Sequence, residues 1–381
     1  MTAEGQHGAS RIVALFPELL GVGGIQEAGR LTAVALNEIA AKRGWSTEFL
    51  ALNDDAGRQD LRYDQTVIPF RGFNRSKLGF MRGALRLAGG DTRIVLAAHP
   101  HLAIPAAQMK LMNPRLKMLT ISHGIDAWDP LPWFRRVAFR KSDFFLAPSQ
   151  YTVERVAETQ SVPRARVHRL AWPLSPEIFR MAAQTGKLPV PARFPYGLVV
   201  LAVARLVRSE NYKGVDKLIE AIALLRQRIH NLHLVIVGGG DDLARHIRLA
   251  SDSGVSDCVH FFDKLTRAEI AGCYSRAAVF ALPSTGEGFG LVFLEAMAFG
   301  KPLIGAAAGG VPDVIEDGTN GFLVLPGDFD QLCQALTVML TNQELRAELG
   351  AKGAELVRTK YRFDRFSTEL ESILCDCGLE T

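Results

Sequence analysis

Short apolar runs alternate with longer amphipathic stretches along almost the whole chain. The first run, Arg11–Phe16, leads into a glycine-rich turn (Gly21, Gly23, Gly24) and then a helical period over 26–43. Runs at 48–52, 92–98, 117–122 and 143–147 predict further strands, with helical segments between them. The segment 173–195 interrupts this rhythm. It holds Pro173, Pro176, Pro189, Pro191 and Pro195 and no sustained apolar period. The rhythm then restarts, with strands predicted at 198–204, 233–237, 259–262, 279–282, 302–305 and 321–324. Helical periods at 214–229, 243–253, 291–299, 330–340 and 343–360 lie between or after them, and a last one covers 362–374. Such alternation predicts an α/β protein with two parallel, doubly wound sheets, each opening on a strand. The predicted division is an N-terminal domain at 1–175, a connection at 176–197, a second domain at 198–360 and a terminal segment at 361–381.

Composition agrees with this division. A chain of 381 residues is too long for one ordinary core and suits two. Charge is unevenly spread. Residues 1–190 hold 25 Lys and Arg against 16 Asp and Glu, a balance of +9, and residues 191–381 hold 19 against 24, a balance of −5. A basic half beside an acidic half points to different partners for the two. The five cysteines (258, 273, 333, 375, 377) are odd in number and lack metal-ligand spacing. Free thiols in a reducing compartment are the simplest reading, and Cys375-x-Cys377 reads as incidental. The polar start and the absence of any run near the ~18 apolar residues of a membrane span predict a cytoplasmic protein.

The densest chemical signal is Pro283–Pro302, PSTGEGFGLVFLEAMAFGKP. A strand ends just before it, and a loop with Gly286, Gly288 and Gly290 opens into a helix. Free N–H groups of Gly290, Leu291 and Val292 at that helix start suit a phosphate. Glu287 in the loop and Glu295 in the second turn suit sugar hydroxyls. An ordinary loop glutamate and a dipole-favoured helix glutamate would look the same. A second signal is Arg205 at a strand end with Lys213-Gly214 before a helix, two cations suited to a diphosphate. Asp328-Phe329-Asp330 has the triplet form of a metal site, but helix capping explains it better. His123, between Ser122 and Gly124 after a strand, and His99 and His101 in AHPH read equally well as structural hydrogen-bonding residues.

Taken together, Glu287…Glu295, Arg205…Lys213-Gly214 and the GVGGIQ loop at 21–26 resemble the retaining glycosyltransferases of the GT-B fold, family GT4 (glycosyl transferases group 1). The likeness covers nearly the whole chain and is strongest over 198–325. It implies two Rossmann-like domains facing across a cleft, an acceptor domain first and a nucleotide-sugar donor domain second. It implies that Arg205 and Lys213 bind the donor diphosphate and stabilise the leaving charge without a metal. Glu287 would hold the transferred sugar and Glu295 the ribose. Backbone amides of Phe289, Gly290, Leu291 and Val292 would meet phosphate and sugar, and the segment 262–265, ending at Leu265, would hold the base. Gly23 and Gly24 would approach the diphosphate and His123 the transferred sugar. No cofactor is implied beyond a UDP- or GDP-sugar co-substrate. The final helix crosses back to the N-terminal domain in relatives.

Two departures stand out. The insert 208–212 lengthens the loop between Arg205 and Lys213, a variant shared with one subgroup. The segment 171–174 reads Ala-Trp-Pro-Leu where many relatives have Asn-Gly-Val-Asp.

Two basic amphipathic stretches, 73–87 and 133–141, suit an anionic membrane surface. Relatives often use lipid-linked acceptors at membranes, which gives a predicted role in cell-envelope or exopolysaccharide synthesis, with peripheral contact at the inner face of the plasma membrane. Nucleic-acid binding is disfavoured by the modest charge and the lack of a stacking motif. The rival readings are a nucleotide-sugar 2-epimerase on the same fold and a non-catalytic nucleotide-sugar-binding protein. A dinucleotide oxidoreductase is weaker still, since residues 21–24 do not form G-x-G-x-x-G.

Overall fold

The structure is a computed structural model that describes residues 10–376; Cys377, and with it the Cys375-x-Cys377 pair, lies outside the described residues. The chain forms two compact units. Unit 1 takes the described residues up to Pro173 together with those from Phe363 onward, and unit 2 is Leu174–Arg362.

Unit 1 runs β1 (Arg11–Phe16), α1 (Gly24–Lys42), β2 (Ser46–Ala51), β3 (Gly57–Tyr63), β4 (Thr66–Gly72), α2 (Lys77–Arg86), β5 (Thr92–Ala97), α3 (Ala103–Met112), β6 (Lys117–Ile121), α4 (Ile125–Trp128), α5 (Trp133–Phe139), β7 (Phe144–Ala147), α6 (Gln150–Thr159) and β8 (Val167–Arg169). Its sheet has the order β3-β4-β2-β1-β5-β6-β7-β8. All neighbours are parallel except β3 and β4, which form an antiparallel hairpin turning at Asp64 and Gln65. The central strands read as unbroken apolar runs because helices cover both faces of a parallel sheet. Val13, Leu15, Val95, Ala97, Met118 and Phe145 meet Ala103, Ala106, Met109, Val153 and Val156 in one buried cluster.

Unit 2 runs α7 (Pro176–Ala182), β9 (Leu198–Val203), α8 (Val215–Leu225), β10 (Leu232–Val237), α9 (Leu243–Asp252), β11 (Val259–Phe262), α10 (Arg267–Arg276), β12 (Val279–Leu282), α11 (Leu291–Ala298), β13 (Leu303–Ala306), β14 (Gly321–Val324), α12 (Phe329–Thr341) and α13 (Gln343–Lys360). Its sheet is wholly parallel in the order β11-β10-β9-β12-β13-β14. The order reverses between β9 and β12, the point at which doubly wound sheets bind ligands beyond the strands' carboxyl ends. From Leu174 on, the proline-rich segment falls within unit 2, where α7 packs on α10 and α11.

The last helix, α14 (Phe363–Asp376), belongs to unit 1. It packs on α1 and buries Phe366, Leu370, Ile373 and Leu374. Arg43 at the end of α1 pairs with its Glu371 at 3.0 Å and donates to the Cys375 Sγ. Among the described residues, no helix is long and apolar enough to cross a membrane. Asp328 caps α12, its carboxylate accepting from the Gln331 N–H at 2.9 Å.

Candidate functional site

In unit 2 the chemistry collects on the loops after β9 and β12, the two strands that flank the reversal in strand order. Arg205 lies just beyond β9 and pairs with Glu210. Lys213 precedes α8 and pairs with Glu287 from the loop after β12, the two side chains only 16% and 13% exposed. Gly214 follows at φ 71°, and a Cβ there would stand 2.7 Å from the Pro283 carbonyl oxygen. Only glycine lets α8 start this close to the β12 loop. Arg205, Glu210, Lys213 and His246 line one small, open pocket. Arg205 and Lys213 are thus brought to one wall, each already matched to a carboxylate. An incoming diphosphate would compete with Glu287 for the N–H donors of Lys213.

Gly290 caps α11 with φ 93°, and no side chain caps the first turn. The N–H groups at its start therefore point outward with the positive end of the helix dipole. Leu291 and Val292 are half-buried at that start. The Phe289 side chain is buried edge-on against Tyr361, so a ligand can reach only its backbone. The Glu287 carbonyl accepts from the Gly310 N–H at 2.7 Å, which fixes the loop. Glu295, one and a half turns into α11, accepts from the hydroxyl of fully buried Tyr274 at 2.9 Å. Burial and the neighbouring carboxylate hold the Tyr274 hydroxyl well above its usual range, so it stays a donor. Tyr274 was not legible as a site residue, because only the fold brings α10 against α11. Leu265, half-buried, sits in the loop between β11 and α10.

In unit 1, Gly23 caps α1 and Gly24 opens it, and a Cβ on Gly24 would meet nothing within 4 Å. The Asp54 carboxylate accepts from the Leu19 and Leu20 N–H groups at 2.7 and 3.1 Å, anchoring the loop ahead of them. His123 lies just beyond β6. Its Nε2 is 2.8 Å from the Ala98 carbonyl, which can only accept, so Nε2 carries a proton and donates to it. The ring stacks on Trp172 at 5.6 Å, and Trp172 in turn meets Phe366 of α14.

Asp126 was not singled out from the sequence. Its carboxylate accepts from the backbone N–H groups of His123 and Gly124 at 2.8 to 3.1 Å and stands 3.6 Å from His99 Nε2. Burial raises its pKa despite these contacts. A carboxylate so occupied orients the His123 backbone and is a poor nucleophile. His99 is itself pushed down to about 2 by burial, with His123, His101 and Arg135 adding to the effect, and is neutral.

The chain is similar to known proteins. The family model for glycosyl transferases group 1 matches residues 194–356, and that for glycosyltransferase family 4 matches residues 31–172. The GDP-mannose-dependent alpha-(1-6)-phosphatidylinositol monomannoside mannosyltransferase of Mycobacterium tuberculosis is 31% identical over 287 residues, 71% of this chain and 74% of that protein. Alpha-D-kanosaminyltransferase of Streptomyces kanamyceticus is 31% identical over 256 residues, 66% of this chain and 65% of that one. Among solved structures, sucrose-phosphate synthase from Thermosynechococcus elongatus superposes with a TM-score of 0.75 at 21% identity, covering 97% of this chain and 99% of that one. HepE of Anabaena, in complex with UDP-glucose, also reaches 0.75, at 18% identity over 96% and 99%. With a family model on each half, and a relative above 30% identity matched over most of its length, the chain belongs to the family 4 (group 1) glycosyltransferases, enzymes built on the GT-B fold of two Rossmann-like domains.

Proposed function

We propose that this glycosyltransferase moves a sugar from a UDP- or GDP-sugar to a glycan or lipid-linked acceptor, with retention of configuration, in cell-envelope or exopolysaccharide synthesis. The observation that carries this reading is the placement of Arg205 and Lys213 after β9, and of Glu287 and the uncapped start of α11 after β12. These flank the reversal in strand order, where a nucleotide would lie. The relative named as GDP-mannose-dependent supports a GDP-sugar as the first donor to try.

In this reading Arg205 and Lys213 take the diphosphate. Glu287 exchanges its contact with Lys213 for hydroxyls of the transferred sugar. Glu295, oriented by Tyr274, takes the ribose. Backbone N–H groups from Phe289 to Val292 meet phosphate and sugar, and the segment at Leu265 meets the base. The family resemblance would add Gly23 and Gly24 at the diphosphate and His123 at the transferred sugar. The bond from the anomeric carbon to the diphosphate breaks, and its electrons stay on the diphosphate, where the two cations hold them. The acceptor oxygen bonds to the anomeric carbon on the same face and gives its proton to a diphosphate oxygen. Neither step requires a protein nucleophile, in keeping with the occupied carboxylate of Asp126.

A membrane-held acceptor is supported by exposed apolar side chains among basic ones in unit 1. Trp133 (74% exposed), Phe134 and Val137 stand out on α5, and Leu78 (73%) on α2. Leu111 and Met112 are also exposed at the end of α3, which packs against both α2 and α5.

The deciding experiment is calorimetric binding of UDP, GDP, ADP and dTDP and their sugars to the full chain, with Lys213→Ala and Glu295→Ala beside it. One nucleotide series is expected to bind, and each variant is expected to weaken it about tenfold or more, the scale of one lost ionic hydrogen bond. Binding that neither variant disturbs would sink the site assignment.

A further inference from the structure

The insert 208–212 looks from its sequence like a lengthened surface loop. In the structure it is tied at both ends, to the loops after β10 and β12. The Arg208 N–H donates to Asp241 Oδ1 at 3.0 Å, beyond β10, and the Thr285 N–H, beyond β12, donates to the Tyr212 carbonyl at 2.9 Å. Between these ties the insert sends two side chains to the two donor-site cations. Glu210 pairs with Arg205. The Tyr212 ring lies 5.2 Å from Lys213 Nζ.

The Arg205–Glu210 pair is unequal. The Glu210 side chain is 10% exposed, whereas that of Arg205 is 64% exposed. One Glu210 oxygen meets Arg205, and the other, Oε2, is buried with no hydrogen-bond partner among the described residues. The carboxylate is therefore not engaged in holding its own loop. A buried carboxylate is tolerated when a cation meets it, and here that cation is Arg205. An exposed arginine is otherwise free to sample many rotamers, and ordering it when a ligand arrives weakens binding. Of its five N–H donors one goes to Glu210, and among the described residues the rest stay available in a fixed fork.

We propose that Glu210 is a positioning residue: it fixes the Arg205 guanidinium before the donor arrives, while Tyr212 of the same insert backs Lys213. This rests on the reading of Arg205 and Lys213 as diphosphate ligands. It adds that the insert, a departure from many relatives, pre-forms the diphosphate site.

The test uses the full chain and calorimetric affinity for the nucleoside diphosphate found above, with thermal melts to confirm folding. Glu210→Ala removes both charge and acceptor, and Glu210→Gln removes only the charge. Positioning predicts that Glu210→Ala binds about tenfold more weakly, while Glu210→Gln binds at least as tightly as the parent, since its amide oxygen still accepts from Arg205. In an Arg205→Ala background, Glu210→Ala should cause no further loss, because the two act as one unit. Tighter binding by both Glu210 variants would make Glu210 a simple counter-charge and overturn the proposal. So would an unchanged affinity, or losses that add in the double variant. If Lys213→Ala and Glu295→Ala leave affinity intact, or no nucleotide binds the parent, the donor-site reading itself fails and this proposal with it. If those two variants lose binding and Glu210→Ala does not, only the positioning role fails.

Discussion

His99 sits in the polar cluster beyond β5, with its Nδ1 accepting from the His101 N–H at 3.2 Å and its ring 6.0 Å from that of His123. Its folded pKa, pushed down to about 2 by burial, lies far below its ordinary value of 6.5. In the window between those values the unfolded chain binds a proton at this position that the folded chain does not. The stability contributed by neutral His99 is therefore fully present above pH 6.5 and is lost as pH falls from there towards 2, at up to about 1.4 kcal/mol per unit. Thermal melts at pH 7 and pH 5 should show a drop for the parent that His99→Gln flattens; parallel curves would refute this. The AHPH run marked these rings as candidates, but not which one would be buried. The same limit hid Tyr274, Glu210 and Asp126. Each works by meeting a residue distant in sequence or by the burial of one carboxylate, and neither fact has a local pattern. In the sequence Glu287 stands out for the glycines around it (286, 288, 290) and Lys213 for the Gly214 that precedes a helix, whereas the pairing of the two has no local pattern.

At the scale of elements, the parallel strands were legible because burial on both faces leaves unbroken runs such as Leu198–Val203. The β3–β4 hairpin was not. Its strands, GRQDLRY and TVIPFRG, are half-solvated, and Pro69 sits inside the second. The short helix α10 was also missed, its apolar positions being too few for a clear period, although Thr266 and Glu269 form a capping box at its start. Helices α2, α3 and α5 carry a prediction of their own. Full-length protein should float with vesicles containing phosphatidylserine and stay behind with neutral phosphatidylcholine vesicles. Each basic residue near the surface contributes roughly 1 kcal/mol, so binding should weaken as salt rises. A Trp133→Ala/Phe134→Ala variant should float less. Equal recovery with both lipids, or none with either, would remove the membrane from the proposed function.

At the scale of the whole molecule, unit 1 is discontinuous. It is built from residues before Pro173 and from α14, which follows all of unit 2. Helix α14 buries Phe366, Leu370, Ile373 and Leu374. At about 1.5–3 kcal/mol for each fully buried apolar side chain, its loss removes an amount comparable to the 5–15 kcal/mol that holds a whole domain together. A chain ending at Arg362 should therefore lose the cooperative melting of unit 1 in scanning calorimetry while unit 2 still melts and binds nucleotide. Two intact transitions in the shortened chain would show that α14 is dispensable. The local pattern made α14 legible as an amphipathic helix, but the face it covers is set by packing against α1, which lies at the other end of the sequence.

That arrangement also sets an order of events during synthesis. The ribosome delivers unit 2 as one continuous stretch, so it can complete its sheet while α14 is still being made. The earlier-made unit 1 must wait, with the flank of α1 that faces α14 uncovered, until the last helix emerges. Unit 1, begun before unit 2, is thus finished after it. A released chain that ended just before α14 would present an unsealed apolar face to chaperones beside a complete unit 2.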